Sequence, residues 1–96
     1  MSRMNRIGSH KTCVFTDESG YTSVVYHSTA VVKFNPVTRK IILNSGGYLS
    51  VTTKARMNQT SHQFNLGFSV SQKDFEWFVA INEKTIPFSN NMVIDY

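Results

Sequence analysis

The sequence predicts an α+β fold, in which an antiparallel β-sheet of hairpins with about 6–7 short strands carries one α-helix packed on it. Short runs of β-branched and aromatic residues, separated by turn residues, recur along the chain. One run, 64–71, alternates apolar and polar residues without error, which is typical of a half-buried strand. The segment 50–63 contains no glycine or proline and is the helix candidate. The 96 residues fit one domain, 10–96, after a basic N-terminal arm, 1–9, expected to be flexible.

The first half of the chain is predicted to form strands joined by tight turns. Residues 17–20 have turn chemistry, and Asn35-Pro36 interrupts the pattern because proline cannot donate a ladder hydrogen bond. The strands on either side of that break are expected to pair as a hairpin. The segment 44–47 then makes a flexible connection. The predicted strands of this half are Thr12–Thr16, 21–27 continuing into 29–34 as one long bent strand, and 38–43.

The segment 50–63 is predicted to be the helix, with Ser50 as its N-cap. Its helical wheel places a polar stripe on the outside. The inner face is less clear, because Lys54 falls within the arc that should be buried and 51–53 is β-branched. A strand remains the alternative for this segment. The residues predicted to share the outward stripe are Thr52, Arg56, Gln59 and Gln63, and those on another side are Val51, Ala55, Asn58 and His62.

Two apolar rows in the C-terminal half are predicted to form the centre of the core. They belong to a hairpin of 64–71 and 75–82 that turns at 72–74. A last small unit, 86–88 followed by 92–94, turns at 89–91. The apolar rows are Phe64, Leu66, Phe68 and Val70 on one strand and Phe75, Trp77, Val79 and Ile81 on the other.

The charge distribution favours an anionic partner. The net charge is +4, and no carboxylate occurs between Asp17-Glu18 and Asp74. Residues 1–73 carry nine cations and two acids, whereas residues 74–96 carry one cation and four acids. Such asymmetry attracts nucleic acid or an acidic protein surface when the cations share a face. If they scatter over several faces, they serve solubility alone, and the sequence leaves both arrangements open.

The cysteine content points to a reducing compartment such as the cytoplasm. Cys13 is the one cysteine of the chain, so no intramolecular disulfide forms. We expect its side chain to be a small buried apolar group. No apolar run has the ~18 residues of a membrane span. The basic N-terminus also lacks the apolar segment of a signal peptide.

Enzyme signatures are missing from the sequence. It has no glycine-rich phosphate loop, no H-E-x-x-H and no cysteine pairs for zinc, so we expect neither catalysis nor a cofactor or metal. Cys13 with His27 or His62, as nucleophile and base, is the enzymatic alternative. Those residue types occur together in most small proteins, so the combination has little specificity.

The most unusual stretch is the double-glycine corner, 44–47, with the helix that follows it. Glycines let a backbone approach a ligand closely, and a helix N-terminus with neighbouring hydroxyls is a generic anion site. Lysine and arginine add charge, tyrosine offers a stacking surface, and asparagine and glutamine read base edges. An ordinary strand-to-helix turn is the alternative. The candidate binding residues are Gly46, Gly47, Tyr48, Ser50, Thr52, Thr53, Lys54, Arg56, Asn58, Gln59 and Gln63.

Several of these segments resemble a family of small uncharacterised bacteriophage proteins. The resemblance continues through 68–70 and 77–79 and covers about residues 24–82. It implies expression inside an infected bacterium and a part in takeover, defence evasion or nucleic-acid handling, and it supplies no catalytic residues. The segments that carry it are Tyr26-His27-Ser28-Thr29 with Val31-Val32, then 43–47, then Val51-Thr52-Thr53-Lys54 with Arg56-Met57-Asn58-Gln59.

Three functions follow as hypotheses. The first is a nucleic-acid-binding accessory protein with a basic surface around Lys54 and Arg56, both expected outside the core. The second is a non-catalytic inhibitor of a host enzyme or antiviral defence complex that acts by surface occlusion. The third is a structural or homo-oligomeric virion component, in which 92–96 adds an edge strand to a neighbour. Reversing the charges of Lys54 and Arg56 is expected to abolish function and leave the fold intact.

Overall fold

A computed structural model of the chain confirms the α+β fold and describes residues 12–47 and 49–96. Within those ranges it contains eight strands and one α-helix, slightly more strands than predicted. The predicted N-terminal arm, 1–9, lies outside the described residues, as does Tyr48. The elements are β1 Thr12–Thr16, β2 Thr22–Tyr26, β3 Thr29–Asn35, β4 Lys40–Leu43, α1 Val51–Phe64, β5 Phe68–Lys73, β6 Glu76–Ile81, β7 Lys84–Pro87 and β8 Met92–Asp95.

The strands divide into two antiparallel sheets. The larger has the order β1-β2-β3-β4-β8, and the smaller has the order β5-β6-β7. The chain passes between them twice. The helix α1 leads from β4 to the smaller sheet, and the segment 88–91 leads from β7 back to the larger one, where β8 pairs with β4. The last two strands, β7 and β8, therefore lie in different sheets, whereas the sequence predicted 86–88 and 92–94 as one small unit. An apolar pattern predicts a strand but does not specify the strand with which it pairs.

A two-residue turn separates β2 from β3, so the long bent strand predicted across these residues is wrong. His27 and Ser28 form the turn, with His27 at φ 57°, and Thr29 pairs with Tyr26. Histidine tolerates this left-handed backbone better than most residues, so a hairpin forms here without glycine. The turn brings the polar segment 26–29 beside the start of α1.

The hairpin of β5 and β6 turns at Asp74 and Phe75. Both residues have positive φ, 52° and 68°. Phe75 is 92% exposed, so its prediction as a core residue is wrong. This two-residue turn has a left-handed backbone at both of its positions, as in a type I′ turn, and that geometry takes Phe75 out of the core row. Trp77, Val79 and Ile81 are buried as predicted.

The strand before this turn begins later than predicted. The helix continues to Phe64, and Asn65 ends it with a left-handed backbone at φ 55°. The apolar residues assigned to the start of the strand nevertheless reach the core. The ring of Phe64 lies 4.8 Å from that of Phe34, centroid to centroid, and Leu66 is buried in the connection to β5.

The helix prediction is confirmed, but its buried face is wrong. Ser50 is the N-cap, and its hydroxyl accepts a hydrogen bond from the backbone N–H of Thr53 at 3.1 Å. Val51 is 75% exposed and His62 is exposed, although the helical wheel placed both away from the outward polar stripe. The face that is buried consists mostly of polar residues, namely Thr53, Arg56, Met57, Thr60 and Ser61. A polar face is buried here because its groups have hydrogen-bond partners in the fold.

Two polar side chains of α1, Asn58 and Ser61, attach the helix to the outer edge of β5. The amide of Asn58 accepts from the N–H of Val70 at 2.7 Å and donates to the carbonyl of the same residue at 3.0 Å. The hydroxyl of Ser61 makes the same pair of bonds to Phe68, at 3.0 and 2.6 Å. Side chains of the helix thus replace a fourth strand, and they satisfy main-chain groups that an edge strand would otherwise leave open.

The two sheets and the helix share one hydrophobic core. Met57 is the buried apolar residue of α1, and it is fully enclosed. The remaining side chains come from both sheets and from the connection at Leu66. The core residues are Val24, Val31, Val32, Phe34, Ile41, Leu43, Met57, Leu66, Phe68, Val70, Trp77, Val79, Ile81 and Ile94.

The turn between β1 and β2 depends on Asp17. Its carboxylate accepts hydrogen bonds from the hydroxyl of Ser19 at 2.6 Å, from the N–H of Ser19 at 3.0 Å and from the N–H of Tyr21 at 3.1 Å. The Ser19 hydroxyl is the main cause that lowers the pKa of Asp17, and both N–H groups and Lys33 act in the same direction. Because the folded state favours the carboxylate, this turn has its full stability at neutral pH and loses it as the pH falls through the lowered pKa.

Candidate anion-binding pocket

A pocket of about 460 Å³ opens between the start of α1 and the turn that joins β2 to β3. We call it the hydroxyl pocket. All of its lining residues except Val31 carry a hydroxyl or an imidazole, and none of them carries a carboxylate. Its volume lies in the range of small-molecule sites. The lining residues are Tyr26, His27, Ser28, Thr29, Val31, Ser45, Ser50 and Thr53.

The double-glycine corner, 44–47, contributes Ser45 to the wall of the pocket and is held in place by hydrogen bonds, so the prediction of a flexible connection is wrong. Ser45 is buried, and its N–H and hydroxyl both donate to the side-chain oxygen of Asn90 at 2.9 Å. The amide of Asn44 donates to the side-chain oxygen of Asn91 at 2.7 Å. The segment that leads into β8 therefore fixes this wall from outside, which the local sequence gave no means of anticipating.

The two glycines of the corner differ in what surrounds them. A Cβ atom at Gly46 would stand 2.3 Å from the hydroxyl oxygen of Thr29, whereas a Cβ atom at Gly47 would meet nothing within 4 Å. Gly46 thus lets the corner approach β3, and its prediction as a point of close ligand approach is wrong. Gly47 faces open space. Both have positive φ, 67° and 85°.

Replacing Gly46 by alanine is expected to lower the free energy of unfolding by about 2–4 kcal/mol, from left-handed strain together with overpacking against Thr29. Gly47→Ala is the matched control, because it adds the same methyl group at positive φ without a neighbour and is expected to cost about 1–2 kcal/mol. Urea unfolding of both variants measures the difference. Equal losses would show that the contact with Thr29 does not constrain the corner.

Arg56 lies inside the fold, so the prediction that it stands outside the core is wrong. Its side chain is 8% exposed. Its Nε donates to the hydroxyl of Thr12 at 3.0 Å, its Nη1 donates to Gln59 at 3.3 Å, and its Cζ lies 5.4 Å from the ring centroid of Tyr26. No carboxylate of the described residues lies within ion-pair distance of it. Reversing its charge would therefore disturb the fold as well as any binding.

The cations of the described residues do not gather on one patch around the corner. Lys40 forms an ion pair with Asp95, and the guanidinium of Arg39 lies 4.4 Å from the ring centroid of Tyr96. Lys54 follows a pocket residue on the first turn of α1 and is partly exposed. In total the described residues hold seven cations and six acids, so this part of the chain is almost neutral.

The positive charge of the chain therefore comes largely from its beginning. Arg3, Arg6 and Lys11 precede Thr12, and their own positions lie outside the described residues. Thr12 starts β1, pairs with Tyr26 and accepts the hydrogen bond from Arg56. The residue that follows the basic segment in the sequence therefore pairs with a residue that lines the hydroxyl pocket.

The other predicted binding residues have varied positions. Ser50 and Thr53 line the pocket, and their hydroxyls lie 2.9 Å apart. Thr52 is partly buried and Gln63 is exposed. The side chain of Asn58 is hydrogen-bonded to β5, and the side-chain oxygen of Gln59 accepts from Arg56.

Sequence reasoning missed most of the pocket as a binding site, since only Ser50 and Thr53 of its lining residues were among the candidates. Tyr26, His27, Ser28, Thr29 and Ser45 were not among the candidates, because their approach to α1 depends on the hairpin turn and on the larger sheet. The sequence did contain one indication of these residues. Every lining residue except Ser50 belongs to the segments that resemble the small phage proteins. Cys13 is exposed on β1, so its expected burial is wrong.

Comparison with known proteins identifies a family. A family model described as Kyanoviridae Gp96 protein matches residues 1–95. This confirms the resemblance to a family of small phage proteins. No curated protein and no solved structure matches the chain. Among the described residues, no helix has the length and apolar character needed to cross a membrane.

Proposed function

The chain belongs to the Kyanoviridae Gp96 protein family of phage proteins, and from that premise we propose that it is an accessory protein that binds nucleic acid in the cytoplasm of the infected cell. A phosphate group of the nucleic-acid backbone enters the hydroxyl pocket. The phosphate is held at the start of α1, between the turn of β2 and β3 and the double-glycine corner. The protein acts by binding, with no catalytic step.

The chemistry of the pocket lining carries this proposal. Six lining side chains carry a hydroxyl, and His27 adds an exposed imidazole. The hydroxyls of Ser45 and Ser50 already donate to Asn90 and Thr53, so the other four are the donors for a ligand. Phosphate oxygens accept hydrogen bonds from such groups, and the missing carboxylates spare the ligand electrostatic repulsion. The N-terminal end of α1 adds a partial positive charge on the same side. The hydroxyls free to donate to a ligand are those of Tyr26, Ser28, Thr29 and Thr53.

Arg56 contributes charge from behind the pocket wall. Its guanidinium is buried among neutral partners and lies over the ring of Tyr26, which lines the pocket. A guanidinium keeps its charge throughout the physiological pH range. Water screens a buried charge weakly, so its field extends through Tyr26 into the pocket. An anion in the pocket would compensate a charge that no described carboxylate neutralises.

The basic residues at the start of the sequence are expected to add contacts with the same nucleic acid. Arg3, Arg6 and Lys11 precede Thr12 in the sequence, and Thr12 pairs with Tyr26. Each phosphate that these cations neutralise adds to affinity through counterion release. Lys54 adds a partly exposed cation on the first turn of α1, where it follows Thr53 in the sequence. Affinity on this account depends on one specific phosphate in the pocket and several salt-sensitive contacts around it.

Fluorescence anisotropy with labelled single- and double-stranded oligonucleotides tests the proposal. Binding is expected to weaken steeply between about 50 and about 200 mM salt. Ser28→Asp places a carboxylate at the pocket and is expected to weaken binding at least about tenfold, since a like charge near a phosphate costs more than 1 kcal/mol. Ser71→Asp, an exposed serine of the smaller sheet, adds the same charge elsewhere and is the control. Equal losses in both variants, or no binding at low salt, would refute the pocket as the phosphate site.

An exposed apolar surface favours a second candidate function, inhibition of a host protein by occlusion. Leu49 and Phe75 are exposed and line a shallow pocket of about 370 Å³ together with Pro87 and Phe88. Exposed aromatic residues around such a depression are common in protein interfaces. A stoichiometric host protein that stays bound after nuclease treatment, and that is lost with Phe75→Gly, is the result expected for this candidate.

A further inference from the structure

Four outer edges border the two sheets in the described part of the chain, and three of them are protected against pairing. The edge of β5 is closed by Asn58 and Ser61. The edge strand β7 carries Lys84 and Pro87, and the edge strand β8 carries Asp95. Charges, prolines and covering side chains are the usual means by which proteins prevent edge-to-edge pairing. The fourth edge, β1, contains neither a charge nor a proline.

The strand β1 also exposes apolar side chains on both of its faces. Neighbouring side chains of a strand point to opposite faces, and Cys13, Val14 and Phe15 are all exposed, Phe15 at 52%. An edge strand of a sheet that has no further strand to add usually buries the side chains of one face in the core. An unprotected, uncharged edge with apolar groups on both faces is a template for another strand.

We propose that β1 pairs antiparallel with β1 of a second copy of this chain, so that two five-stranded sheets join into one continuous sheet. The strand suits pairing with itself because its residue sequence is nearly the same in both directions. Val14 is at its centre and Thr12 and Thr16 are at its ends. In the register centred on Val14, each Val14 lies opposite its counterpart, and Cys13 lies opposite Phe15 of the second copy. The assembly has two-fold symmetry, which closes it at a dimer.

The charges that flank β1 favour the antiparallel direction. Lys11 comes directly before the strand, and Asp17 and Glu18 come directly after it. Antiparallel pairing brings the basic end of each strand to the acidic end of the other. Parallel pairing would bring like charges together, which destabilises a pair of strands. This dimer does not depend on nucleic-acid binding.

The mass of the full chain in solution tests the dimer. Sedimentation over a wide concentration range is expected to give twice the 10.9 kDa of one chain. Val14→Lys sets two like charges opposite each other and is expected to give a monomer with an unchanged circular dichroism spectrum. Val93→Lys makes the same change at an exposed position of the other edge strand, β8, and is expected to remain dimeric. A wild-type chain that is monomeric throughout, or a dimeric Val14→Lys variant, would overturn the proposal.

Disulfide crosslinking tests the register and does not depend on the folding of the lysine variant. Directly opposite residues have Cα atoms about 5 Å apart, which suits a disulfide. With Cys13→Ser as background, Val14→Cys is expected to crosslink under mild oxidation, and Val93→Cys is not. The native Cys13 pair would be diagonal, roughly 8 Å apart, and is expected to crosslink poorly. Crosslinking through Val93→Cys in place of Val14→Cys would move the interface to β8 and contradict the proposal.

Discussion

Replacing Trp77 by alanine is expected to lower the free energy of unfolding by about 3–5 kcal/mol. Trp77 lies on the central strand of the smaller sheet, is 4% exposed, and has its ring 5.4 Å from that of Phe88. Its removal leaves a cavity where the smaller sheet meets the segment that returns to the larger one. A domain of this size has a total stability of only about 5–15 kcal/mol, so the variant is expected to be largely unfolded on mild heating.

Phe75→Ala is the control for this prediction. Phe75 is another large aromatic residue two positions away, but it is almost fully exposed at the turn. Its truncation is expected to change the unfolding free energy by less than about 0.5 kcal/mol. Urea unfolding followed by tryptophan fluorescence in Phe75→Ala and by circular dichroism in Trp77→Ala gives both values. Similar losses in the two variants would show that the smaller sheet is not packed as described.

Removing the side chains that close the edge of β5 is expected to have the second largest effect. The double variant Asn58→Ala with Ser61→Ala leaves the N–H and carbonyl groups of Phe68 and Val70 without their partners. Each unpaired buried group costs about 1–3 kcal/mol, and water reaches the partly buried pair at Asn58, so we expect a loss of about 3–4 kcal/mol.

Hydrogen exchange identifies the cause of that loss. The amide protons of Phe68 and Val70 are expected to exchange much faster in the double variant, while those of the larger sheet change only through the lower global stability. His62→Ala, an exposed position on the same helix, serves as the control and is expected to leave both quantities unchanged. Persistent protection at Phe68 and Val70 would mean that the helix is not what closes this edge.

The strands and the helix were predictable because their signals are local. The alternation of apolar and polar residues predicted β6, apart from Phe75 at its turn. Ser50, followed by a segment without glycine or proline, predicted the start of α1. The buried face of α1 was not predictable in the same way. Polar residues such as Ser61 and Thr60 are buried because each finds one particular carbonyl, and Thr60 donates to that of Arg56 at 2.7 Å. Hydrophobic periodicity contains no information about such pairs.

The candidate site was only partly predictable because it is assembled from three distant segments. The helix cap, Ser50, follows from local rules. The position of the 26–29 turn beside α1 depends on the left-handed backbone conformation of His27. The double-glycine corner is held by Asn90, which lies 45 positions from Ser45 in the sequence. Arg56 was expected outside because charged residues are seldom buried without a carboxylate. It is accommodated by Thr12, Gln59 and the ring of Tyr26.

The position of the bound phosphate is the central claim, and backbone amide chemical shifts test it most directly. A short single-stranded oligonucleotide is added to isotope-labelled protein, and the residues whose signals move are mapped on the structure. We expect the largest shifts at 27–29, at Ser45, and in the first turn of α1, with small shifts in β5 and β6. Shifts concentrated on the smaller sheet, or no shifts at low salt with an oligonucleotide in excess, would contradict binding in the hydroxyl pocket.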